Sequence, residues 1–63
     1  MEIALREMFP RIAAYPKFFC NVVLRVNTGQ LAFADATRHL AVIEAAAATP
    51  EGQDFMQSLE ASL

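Results

Sequence analysis

A chain of 63 residues has room for one domain, and one this short buries only about 60% of the surface its unfolded form exposes, so its core needs a supplement. An internal disulfide is excluded because Cys20 is the only cysteine, and a structural zinc site because Cys20 and His39 are the only soft ligands. With 56% hydrophobic residues and a net charge of −2, self-association is what remains, and the electrostatic footprint of a nucleic-acid binder is missing.

Residues 1 to 9 place Met1, Leu5, Met8 and Phe9 on one helical face, with Glu2, Arg6 and Glu7 elsewhere. Pro10 disfavours helical geometry at Phe9 and removes a backbone donor, which predicts a short helix that ends or kinks there. Residues 11 to 15, held between Pro10 and Pro16, are too few for an ordinary helix and read as a one-turn connector.

Residues 17 to 26 fit two periods. Phe18, Phe19, Val22, Val23 and Val26 make a helical stripe, while Phe18, Cys20, Val22, Leu24 and Val26 alternate as a strand would. Pro16 suits a first helical position and Gly29 a C-terminal cap, and a lone strand would lack a partner, so the segment is predicted helical.

Residues 30 to 48 contain neither proline nor glycine and are rich in alanine, the best helix former. Phe33, Ala36, Leu40, Ile43 and Ala47 recur with the spacing of a packed seam, and Asn27 or Thr28 can cap the start. Leu31 and Val42 fall on a second apolar strip, away from that seam. The alanine run at 45–48 offers a smooth surface that another helix can approach.

Thr49, Pro50 and Glu51 stop one helix and start the next: threonine caps, proline takes the first position and glutamate meets the positive end of the dipole. Phe55, Met56, Leu59 and Leu63 form the apolar face of the last helix, and Gln53, Asp54, Gln57 and Glu60 are expected to face water. No segment reads as a repeat of another, and no linker divides the chain.

The side chains able to do chemistry are few. Cys20 and His39 could meet as a thiolate–imidazole pair, but Cys20 sits among Phe18, Phe19, Val22 and Val23 and reads as a small buried apolar residue. His39 reads as a partly exposed helix residue within reach of Asp35, four positions earlier. The acids do not fall at the spacing of a calcium loop, and Gly29 and Gly52, the only glycines, make no phosphate-binding loop.

Two helices joined by Thr-Pro-Glu-Gly resemble a helix-turn-helix in outline, yet the last helix carries Glu51, Asp54 and Glu60, which would repel phosphate. The basic residues Arg6, Arg11, Lys17 and Arg25 are spread over other segments without clustering. Residues 1 to 30 carry four basic against two acidic side chains and residues 31 to 63 one against five, a division that favours packing one half on the other, within or between chains. Glu2 and Glu7 occupy the polar face where a membrane-lying helix carries lysine and arginine. The acids near the N-terminus also differ from the basic start of a signal peptide, and no window approaches the roughly 18 apolar residues of a membrane span.

The sequence therefore predicts a single all-α domain over residues 1 to 63, a small bundle of three to four short helices built on a helical hairpin and completed by homodimerisation. Its expected core is Phe18, Phe19, Val22, Val23, Phe33, Leu40, Ile43, Phe55, Met56 and Leu59. The expected partner surface comprises Leu31, Val42, Ala45, Ala48, Phe18, Phe19, Arg38 and His39. The expected role is non-catalytic: a cytoplasmic adaptor, chaperone-like protein or inhibitor that binds itself and a larger protein, with no cofactor, nucleic acid or membrane involved. The alternative is a small helix-turn-helix-like regulator that binds DNA.

Overall fold

Proline punctuates the chain. In the computed structural model, which describes all 63 residues, the helices are α1 (Glu2–Met8), α2 (Pro10–Ala13), α3 (Pro16–Asn27), α4 (Phe33–Ala46) and α5 (Pro50–Ser62). All three prolines occupy the start of a helix, where the missing N–H would have had no intrahelical partner and the fixed φ suits the first turn. The residues before Pro10 and Pro16 leave helical geometry, Phe9 at φ −131°, ψ 68° and Tyr15 at φ −109°, ψ 85°, as the pyrrolidine ring requires of its neighbour. The chain is 79% helical with no strand, which resolves the ambiguity of residues 17 to 26. Five helices stand where three to four were predicted, because α1 and the one-turn α2 are distinct elements.

Helix α3 ends in a glycine turn. Gly29 adopts φ 78°, its N–H donates to the Val26 carbonyl at 3.2 Å, and the Gln30 N–H donates to the Arg25 carbonyl at 2.9 Å. This pair of bonds closes a helix on a left-handed residue, and only glycine enters that region without a Cβ penalty. The same turn takes up residues that the sequence assigned to the next helix. Helix α4 therefore starts at Phe33 rather than at residue 30, and Leu31 lies outside it instead of sharing a helical strip with Val42. Neither Asn27 nor Thr28 caps α4; Ala32 precedes it without a side-chain bond, and the Thr28 hydroxyl donates back to the Leu24 carbonyl at 2.9 Å. Thr49 does cap α5, its Oγ1 accepting from the Gly52 N–H at 3.0 Å.

The core gathers around Leu5, Phe9, Ile12, Phe19, Val23 and Leu40, with Ala36, Ala47 and Met56 buried beside them. Arg6 lays its guanidinium 4.7 Å from the centroid of the Phe19 ring, closing that side of the core with an aliphatic stem and a cation. Two predicted core residues are corrected: Phe33 is 43% and Phe55 66% exposed. The N-terminal segment is the reason. Leu5, Phe9 and Ile12, which the expected core left out, join Phe19, Val23 and Leu40 in the interior, while Met1 and Met8 stay outside.

Cys20 is also corrected, since it is exposed. The buried stripe of α3 runs through Phe19 and Val23, four residues apart, and Cys20 lies about 100° further round the helix. Two outcomes follow: Cys20 reacts promptly with a thiol reagent in the folded protein, and Cys20→Ser shifts unfolding by less than about 0.5 kcal/mol, as exposed substitutions do. A thiol that reacts only after denaturant is added would contradict this placement.

Candidate functional site

Carboxylates, not local caps, begin α2 and α3. Glu44, on α4, accepts from the Arg11 N–H at 2.9 Å and the Ile12 N–H at 3.0 Å, one bond to each oxygen, and its Oε2 lies 3.6 Å from the Arg11 guanidinium. Glu60, on α5, repeats the arrangement with the Lys17 N–H at 2.7 Å and the Phe18 N–H at 3.0 Å. In both cases a proline heads the helix, and the next two N–H groups, which have no intrahelical partner, bond a carboxylate more than thirty residues away.

The expectation that Glu60 faces water is thus corrected, and so is the reading that no segment repeats another. Phe9-Pro10-Arg11 and Tyr15-Pro16-Lys17 are one pattern, and Leu40-x-x-Ile43-Glu44-Ala45 and Met56-x-x-Leu59-Glu60-Ala61 are another. Each copy of the first docks on a copy of the second. The signal was present in the sequence as two short patterns, but only their pairing in space gives it meaning.

The Glu60 clamp helps to position an apolar groove. Glu60 holds the start of α3 against α5, which sets Phe18 beside Leu59. At the other end the α4–α5 turn is drawn tight by Gly52, where a Cβ would overlap the Ala46 carbonyl. Between these constraints lies a groove of about 420 Å³ with Phe18, Ile43, Met56 and Leu59 inside it and Val42 and Phe55 at its edges. Val42 is 70% exposed, and Phe55 projects beside it. A second, smaller groove of about 210 Å³ adjoins it, sharing Phe18 and Leu59, and is lined further by Val22, Arg25, Leu31 and Leu63.

The solvent-accessible surface is 4103 Å², close to the roughly 4,000 Å² of a compact monomer of this mass, so its extent is ordinary. Scattered apolar side chains are ordinary on a protein surface. Two adjoining apolar grooves that share Phe18 and Leu59, together one trough edged by valine, phenylalanine and leucine, are not.

The predicted surface residues separate into three groups. Phe18, Val42 and Leu31 meet in the trough. Arg38, His39, Ala45 and Ala48 are exposed on or just beyond α4, outside it. Phe19 is 1% exposed and belongs to the interior, not to a contact surface. Asp35 pairs with Arg38 at 2.7 Å rather than with His39. No three of the His, Cys, Asp and Glu side chains converge on one point, and every buried side-chain polar atom has a partner. No helix is long and apolar enough to cross a membrane. The chain matches no protein-family model, and no curated protein or solved structure is significantly similar to it.

Proposed function

We propose that this chain is a non-catalytic protein-interaction module that pairs with itself and acts on a larger protein as an adaptor, chaperone-like protein or inhibitor. The observation that carries this reading is the open apolar groove between α4 and α5, edged by the exposed Val42 and Phe55. Burying such a surface is favourable at about 25 cal/mol per Å² of apolar area, and association with another chain is the means of burying it. The exposed Cys20 thiol suits a reducing compartment, and the cytoplasm is part of the proposal.

The larger partner is assigned to the outer face of α4. Arg38 and Ala45, at i and i+7, share that face outside the groove, with His39 and Ala48 beside them, a surface that an amphipathic helix can approach closely.

Light scattering tests self-pairing: the expected mass at micromolar concentration is twice the chain's 6.9 kDa. A pull-down from the source cell's lysate tests the second partner. The expected result is one larger protein retained by the wild-type chain and lost with Ala45→Arg, which keeps helix propensity and blocks close approach. DNA retarded in a gel at low salt and released as salt rises would replace this reading with that of a regulator.

A further inference from the structure

The trough has a polarity. Its α4–α5 end carries Glu51, its far end carries Arg25, and Phe18 and Leu59 lie midway, shared by the two grooves. Neither Glu51 nor Arg25 takes part in any of the three intrachain ion pairs, which join Arg6 to Glu2, Arg11 to Glu44 and Arg38 to Asp35. Glu51 lines only the larger groove and Arg25 only the smaller, so the two charges lie on opposite sides of the shared Phe18 and Leu59.

We propose that the occupant of this trough is a second copy of the chain, related by a two-fold axis that passes near Phe18 and Leu59. The inference rests on the self-pairing reading and adds the interface to it. A two-fold contact uses the same patch on both copies, and with the axis running across the trough the copies lie antiparallel, so whatever lies at one end of the patch meets whatever lies at the other end of its partner. With a cation at one end and an anion at the other, rotation about the centre brings Glu51 against the partner copy's Arg25 twice, while the apolar middle closes on itself. A two-fold axis along the trough would instead run the copies parallel and bring like charges together, which opposes that arrangement. A surface of one sign at both ends would repel its own copy, and this one is complementary to itself.

Charge exchange tests the geometry. Glu51→Arg alone and Arg25→Glu alone each turn both end contacts repulsive in a homodimer and are expected to raise the dimer dissociation constant on the order of tenfold or more. Mixing the two single variants restores opposite charges at both contacts, so the expected result is a heterodimer of wild-type strength, and the Glu51→Arg/Arg25→Glu double variant is expected to pair with itself likewise. Each substitution also places an unfavourable sign near a helix end, so helicity by circular dichroism is measured alongside, and recovery on mixing is the decisive readout. A dimer whose strength is indifferent to these exchanges overturns the trough as its interface and leaves self-pairing intact. A wild-type chain that stays monomeric at every concentration overturns both.

Discussion

Replacing Glu44 with alanine is expected to lower the unfolding free energy by about 2–3 kcal/mol, a large share of the roughly 3–9 kcal/mol typical of a domain this size. Two hydrogen bonds from backbone N–H groups to a charged acceptor are lost together, at Arg11 and at Ile12. Water can reach the exposed Arg11 N–H, so that loss is modest; the Ile12 N–H is partly buried, and leaving it without a partner costs more. Helix α2 has one turn and no side-chain cap of its own, so nothing local replaces the carboxylate. The consequence reaches the core, because Phe9 and Ile12 enter it from this turn.

Urea unfolding followed by far-ultraviolet circular dichroism measures the effect. Glu44→Gln, which keeps one acceptor and no charge, is expected to lose about half as much. Glu60→Ala is expected to cost about 2 kcal/mol through Lys17 and Phe18, and the two losses should add, since the clamps share no partner. Unchanged stability in Glu44→Ala would mean that packing alone holds α2 in place.

Gly52→Ala is expected to destabilise the fold by about 3 kcal/mol and to lower the melting temperature by roughly 10 °C or more. The sign is the informative part. Within a helix, alanine in place of glycine ordinarily stabilises by up to about 1 kcal/mol. Here the added methyl would lie inside van der Waals contact with the Ala46 carbonyl, a backbone group that cannot rotate aside as a long side chain can. Relief requires α5 to move away from the end of α4. That movement would open the turn, strain the Thr49 cap and change the shape of the groove edged by Val42 and Phe55. A calorimetric melt at or above the wild-type temperature would show that the α4–α5 turn has slack the structure does not display.

Helix content, the starts at Pro16 and Pro50, the Gly29 terminus and the Thr49 cap were all legible in the sequence, because each is a contract between residues within one turn of each other. A proline dictates φ at its own position whatever the rest of the chain does, and a threonine cap needs only the N–H three residues on. The seam of Ala36, Leu40 and Ala47 was legible for the same reason: its period is written along one helix.

Tertiary structure decided which of two apolar sets would be interior. Phe33 and Phe55 are as hydrophobic as Phe9 and Phe19, and composition cannot rank them; the outcome depends on Leu5, Phe9 and Ile12 packing with Phe19, Val23 and Leu40. The fates of Glu44 and Glu60 were equally beyond the one-dimensional chain, because a carboxylate on a helix reads as solvated until the N–H groups that need it are brought from more than thirty residues away. Local chemistry decides where helices begin and end; which side chains they share is settled only when distant segments compete for the same small volume.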